Sequence, residues 1–340
     1  MTTEPSIFIG IQKRRRQYVS TLCLLLLVLC ALACLNLTIG EKNYSIYQVL
    51  HVLTGTSQEG AYLITRLRLP RTLAAILSGI AFGVAGNIFQ TLLRNPLASP
   101  DIIGVSTGST VAAVYCILFL NLSRGIVSVI SVFAGILVAF CIYRISYTDR
   151  FSANRLILVG IGMQAFFNAL INWMILKAAE YDVPTAMRWM TGNLNGIVTD
   201  SLPLLFLVVI FSLTCILLLR HGMQSLTLGD EYAIILGVRV RIVRAALILC
   251  SVMLIAFATA ITGPISSIAF LSGPIATKIC GKSQANILSS ALVGALLVLG
   301  GDFIGQNLLF TRYPVGVITG LLGAPYLIYL LIQNQKGGRI

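Results

Sequence analysis

Charge is scarce in this chain. Asp, Glu, Lys and Arg make up 10% of its 340 residues, and only 11 are acids. A soluble domain carries about a quarter charged residues, so a conventional water-exposed globule is excluded. Histidine is scarcer still, with only His51 and His221. The topology developed below puts them on opposite sides of a membrane, which excludes a metal pair or a catalytic dyad between them. The cysteines (23, 30, 34, 116, 141, 215, 250 and 280) lie in or at the ends of apolar runs. None has the spacing of a metal site or a disulfide framework, so they read as small buried apolar side chains. Nucleotide motifs are missing as well. Ala276-Thr-Lys-Ile-Cys-Gly-Lys-Ser283 falls short of a phosphate-binding loop, whose first position needs Gly. Gly160-Ile-Gly-Met-Gln-Ala165 mimics a dinucleotide fingerprint inside an apolar run, without the strand–turn–helix context, and reads as a helix-packing segment. No catalytic residue, metal site or cofactor is expected.

What is present is apolar length. The chain is 57% hydrophobic with mean hydropathy +0.91. Runs of about 18 to 22 apolar residues read as membrane helices. Ten are expected, near 18–38, 72–93, 105–121, 125–144, 155–177, 203–220, 244–262, 265–281, 286–308 and 315–333. Gly263-Pro264 and Gly273-Pro274 interrupt the eighth. The fold class is therefore an all-α integral membrane protein, with residues 1–340 forming one transmembrane domain. The net charge of +13 could suggest nucleic acid, but its distribution reads as topology. With the N-terminus inside, Lys and Arg at 13–16, 94, 144, 150, 155, 220, 239, 241, 244, 278, 282, 336 and 339 fall in the cytoplasm. Those at 42, 66, 68, 71, 124, 177, 188 and 312 fall outside. This positive-inside bias places both termini in the cytoplasm of a multi-pass protein of the cytoplasmic membrane. Lys13-Arg-Arg-Arg16 before Leu22–Leu32 mimics a signal peptide, but it reads as an uncleaved first helix because nine more follow.

Polar residues punctuate the apolar runs. Arg66-Leu-Arg-Leu-Pro-Arg71 must sit at a membrane surface, because arginines are costly unpaired in lipid. Gly79, Gly83 and Gly86 in the run that follows permit close helix contact. That run stops at Asn95-Pro-Leu-Ala-Ser-Pro-Asp-Ile-Ile-Gly104. Residues 39–70 form an outer loop, with a short surface helix at Tyr44–Leu50. Another short helix is expected at Pro184–Met190. In the longest inner loop, 221–243, Gly229 opens a helix. Asp230 and Glu231 sit in its first turn, where acids favour the dipole, and Leu236-Gly237 closes it. Asp302 is the one acid expected inside a membrane helix. It either bonds a neighbouring helix or takes part in proton coupling. Gln164, Asn168 and Asn172 share one helix face, which either lines a hydrated pathway or bridges helices.

Taken in order, several segments resemble the FecCD family, the permease subunits of ABC importers for ferric siderophores, haem and cobalamin. They are Arg66–Arg71, Asn95–Gly104, Trp189-Met-Thr-Gly-Asn-Leu-Asn-Gly196, Leu228–Glu231 with Leu236-Gly237, and Pro314-Val-Gly-Val-Ile-Thr-Gly320 with Gly323-Ala-Pro325. The resemblance runs from about Tyr18 to Gln333. It implies two inverted five-helix halves, roughly 18–177 and 203–333, with the pathway at their interface. It implies docking of an extracytoplasmic solute-binding protein on outer arginines. Arg68 matches the family position, Arg66 is a second candidate, and Arg71 is read as stabilising the helix start. The family's second docking arginine aligns with Gln306, near Asp302, which leaves Arg312 as a substitute. By the same resemblance, Gly229, Asp230, Glu231, Leu236 and Gly237 form the loop that couples to separate ATPase subunits. Gln164, Asn168, Asn172, Asp302 and Gln306 are the candidate pathway residues. Gly273-Pro-Ile-Ala-Thr-Lys278 departs from the family pattern, so a different bend is expected there. Phe167–Gly196 looks like the second permease subunit of ferric enterobactin-type systems. That favours a heterodimer over a homodimer and a catecholate ferric siderophore over other chelates, haem or cobalamin. The rivals are a proton-coupled secondary transporter, which needs a network of buried acids, and a membrane enzyme, which needs a catalytic cluster.

Overall fold

The computed structural model describes residues 4–146, 152–281 and 286–337. Arg150, Lys282 and Arg339, three of the charges expected inside, lie outside the described residues. Fourteen α-helices follow in chain order among the described residues. They are α1 (Glu4–Thr38), α2 (Ile46–Leu53), α3 (Leu69–Leu93), α4 (Val105–Leu118), α5 (Arg124–Ser146), α6 (Ala153–Lys177) and α7 (Val183–Met190). Then come α8 (Leu202–Leu218), α9 (Arg220–Leu228), α10 (Asp230–Ile235), α11 (Val240–Thr262), α12 (Ile268–Cys280), α13 (Ile287–Asn307) and α14 (Val315–Gly337). Seven are long and apolar enough to cross a membrane, and α4, α12 and α14 contain shorter apolar stretches. These ten correspond to the ten expected runs. The chain is an all-helical, multi-pass membrane protein.

Several boundaries differ from the sequence expectation, three of them with a structural consequence. The outer loop ends early, because Tyr62–Arg68 is π-helical and runs into α3 without a break. The arginine cluster therefore sits on a helix. The third apolar element along the chain, α4, stops at Leu118, short of the expected residue 121. The eighth run begins at Ile268, because Gly263 (φ +72°), Pro264 and Ser267 (φ +74°) turn the chain first. Pro274 does not interrupt α12. Proline has no N–H, so the carbonyl four residues back loses its helical donor. That carbonyl belongs to Phe270, and the Gln90 side-chain amide of α3 donates to it at 3.0 Å. A neighbouring helix thus supplies the missing bond, as the absence of water in lipid demands. Gly273 makes the space. A Cβ there would lie 1.8 Å from Gln90 Oε1.

Helix α3 is the centre of the bundle. It packs on α13, α11 and α12, while α11 packs on α5 and α4. Counting the ten apolar helices in order, the second meets the ninth and eighth, and the seventh meets the fourth and third. A shift by five exchanges these sets, which is what two five-helix repeats would produce. Small residues set the spacing at α3. A Cβ on Gly79 would come 2.5 Å from the Gly294 carbonyl, and one on Gly83 would come 2.3 Å from that of Ser290. At Gly86 the clash would be 1.7 Å with the Ala269 carbonyl. In lipid, helix association depends on such close packing. The expected packing role of Gly160–Ala165 holds at Gly160, which is buried, but not at Gly162, where an added Cβ meets nothing within 4 Å.

The two short outer helices form as their sequences suggest. Ser45 and Gln48 make a reciprocal capping box at the start of α2, satisfying two otherwise orphaned N–H groups. Helix α2 buries Val49 and Val52 and exposes Ile46, Tyr47 and Leu50, an amphipathic face suited to a membrane surface.

Candidate functional site

The inner turn is built where it was expected. Helices α9 and α10 meet at Gly229, whose φ of +126° is open to glycine and rarely to other residues. Asp230 and Glu231 occupy the first turn of α10, and the helix ends at Leu236 and Gly237 (φ +79°). The structure adds a partner for Asp230. Arg244 of α11 donates to its Oδ1 at 2.6 Å, and Arg94, at the C-terminus of α3, approaches the same oxygen at 3.7 Å. Arg94 also bonds the Leu226 carbonyl at 3.1 Å. Leu228, Tyr232, Ile234, Ile235 and Leu236 are all more than 60% exposed. Clustered exposed apolar side chains of this kind mark contact surfaces.

At the outer face, the arginines divide their work differently from the expectation. Arg68 is not a free outward charge. Its guanidinium donates to the carbonyls of Leu37 at 2.8 Å and Lys42 at 2.6 Å, and lies over the Tyr44 ring. It holds the α1–α2 connection against the start of α3. Arg66 is exposed. Arg312 pairs with Glu41 at 2.5 Å, with both side chains more than half exposed.

Arg71 does not stabilise the helix start. It crosses to α13 and grips Asp302 with two bonds of 2.7 Å. The Asp302 side chain is 2% exposed, so it lines no open path. Its partner is an ion, not the backbone or hydroxyl contact foreseen. Arg71 also bonds Asn195 Oδ1. The loop around Asn195 is tied on several sides. Arg124 donates to the carbonyls of Asn195 and Gly196, the Asn193 N–H to Thr262 O at 2.7 Å, and the Gly316 N–H to Gly192 O at 3.1 Å. This explains the Trp189–Gly196 segment physically. It is the knot joining the outer ends of α3, α5, α11 and α14, with α13 attached through Arg71.

The polar face of α6 is partly assembled into a site. Gln164 and Asn168 line a cavity of about 350 Å³ with Ser106, Thr107, Thr110 and Asp101. Asn172 is exposed and is not part of that lining. Gln306 lies at the outer end of α13 and bonds the Tyr313 carbonyl at 3.3 Å. The five candidate pathway residues therefore do not converge. Asp101 was missed. Its carbonyl accepts from Gln164, near the middle of α6, at 2.9 Å, which carries this acid to membrane depth. Its carboxylate accepts from Ser99 and Ser106. The signal was available in Ser99-Pro-Asp101, a capped turn, but nothing local says that the turn dips inward.

Residues 25–333 match the FecCD transport family. The chain belongs to the FecCD transport family. It is 36% identical over 321 residues to FepG, the ferric enterobactin transport system permease protein of Escherichia coli, covering 92% of this chain and 96% of that protein. It is 30% identical to BtuC, the vitamin B12 import system permease protein of Klebsiella pneumoniae, covering 96% and 97%. An inward-facing metal-chelate type ABC transporter has the same fold, with a TM-score of 0.81 and 27% identity over 93% of this chain.

Proposed function

We propose that this FecCD chain is one membrane subunit of an ATP-driven importer in the cytoplasmic membrane, and that its whole length forms one transmembrane permease domain. A binding protein delivers a ferric siderophore to the outer face. This chain and a second permease subunit, preferably a different one, enclose the path. Separate ATPase subunits drive it from inside. The observation that carries this reading is the α9–α10 turn, with its apolar face exposed on the inner side. The sequence offers no phosphate-binding loop, so energy must enter through a contact, and this turn is built as one.

Similarity to FepG supports a catecholate cargo, while similarity to BtuC keeps cobalamin as the second reading. Two measurements test the proposal. Ile235→Asp places a charge on the exposed face of α10 and should release the ATPase subunit from the purified assembly. Its retention at wild-type stoichiometry would overturn the contact assignment. Uptake of radiolabelled iron in a deletion strain, supplied as ferric enterobactin, ferric citrate or a ferric hydroxamate, should be fastest with the catecholate. Cobalamin uptake without iron uptake would establish the second reading.

A further inference from the structure

We infer that Asp230 is a positioning residue that ties the α9–α10 turn to the two central helices, so that motion of the turn is delivered to α3 and α11 together. This rests on the reading of that turn as the ATPase contact. One carboxylate oxygen, Asp230 Oδ1, faces two guanidinium groups from different membrane helices. Arg94 caps α3 in a left-handed conformation and extends to both Asp230 and the Leu226 carbonyl. Arg244 lies on the second turn of α11 with a side chain only 8% exposed. Arg244 donates to Asp230 Oδ1 at 2.6 Å, a charge-assisted bond. Shifting the turn away from α11 breaks that bond. Moving with both helices is the cheaper response.

The apolar contact face and the clamp occupy different residues of one short helix. Tyr232, Ile234, Ile235 and Leu236 face outward, while Asp230 faces back to the bundle. Docking and transmission are thus separable by mutation. The two helices held by the clamp pack on each other. Their outer ends both reach the 193–195 loop, α3 through Arg71 to Asn195 and α11 through the Thr262 carbonyl to Asn193. A rigid pair of helices joins the clamp inside to the knot outside, which is the kind of element that carries coupling between distant sites.

The test uses the complete assembly in proteoliposomes, with ferric enterobactin on the binding protein as probe. Asp230→Asn keeps the side-chain shape and removes the charge. It should leave the ATPase subunit bound to the assembly. Stimulation by the loaded binding protein, and iron uptake per ATP, should fall on the order of tenfold. Asp230→Glu should restore part of both. Arg94→Gln, at a half-exposed side chain, should give the same split in milder form, and it serves alone if Asp230→Asn fails to insert. Wild-type stimulation and uptake in these variants would overturn the proposal. So would loss of the ATPase subunit from Asp230→Asn, because Asp230 would then be a docking residue. Failure of Ile235→Asp to release the ATPase would count against the contact reading beneath it, independently of the clamp.

Discussion

Gln90→Leu should destabilise this protein, and the same substitution should be nearly harmless when Pro274 is also replaced. The Phe270 carbonyl lies inside α12 with no helical donor, because the residue four positions on is Pro274. Gln90 Nε2 supplies the bond at 3.0 Å, and Gln90 itself is 9% exposed. Leucine keeps much of the volume but cannot donate. An orphaned buried carbonyl costs about 1–3 kcal/mol. Interhelical side-chain bonds in membranes average about 0.6 kcal/mol and reach about 1.7. The expected loss is therefore about 1–2 kcal/mol. Pro274→Ala restores the N–H, and α12 can then satisfy Phe270 internally. The double variant should recover most of the loss, giving an interaction energy of about 1 kcal/mol. Unfolding in mixed micelles with increasing dodecyl sulfate, followed by fluorescence of Trp173 and Trp189, measures all four proteins. If Gln90→Leu costs the same with and without Pro274→Ala, the amide is not replacing a helical bond and the reasoning fails.

Asp302→Asn should cost about 3 kcal/mol, because it leaves Arg71 largely buried without its acid. The pair Arg71→Met with Asp302→Leu should recover most of that in the same unfolding assay, and iron uptake should persist when the proton gradient is collapsed. Gly86→Ala should abolish monodisperse protein by size-exclusion chromatography, because its Cβ would strike the Ala269 backbone at 1.7 Å. Gly162→Ala, facing open space, should behave as wild type. Arg66→Glu should slow capture of the loaded binding protein, more strongly at low salt. Arg68→Glu should instead lower stability, because it removes two bonds to the 37–42 segment. Equal salt-dependent capture defects in both variants would return Arg68 to the docking surface.

The sequence alone determined the elements and their chemical class. Apolar length, positive-inside charge and the glycines at 79, 83 and 86 act locally or through composition, so helix number, membrane setting and close packing at α3 are legible in one dimension. The α9–α10 turn was legible for the same reason. Gly229 and Gly237 hold backbone angles that glycine favours, and Asp230 and Glu231 fall in a first helical turn. Partnership was not legible. Arg71 and Asp302 are far apart in the chain, as are Gln90 and Pro274, and nothing near either residue names the other. Arg68 looked like an outward charge because its partners are backbone carbonyls, which carry no sequence signal. Asp101 stands in a proline-broken turn, and only the bond from Gln164 places it at membrane depth. In each case a low-dielectric interior forces a polar group to find a partner. The sequence shows that the demand exists, and only the packing of the helices decides which group meets it.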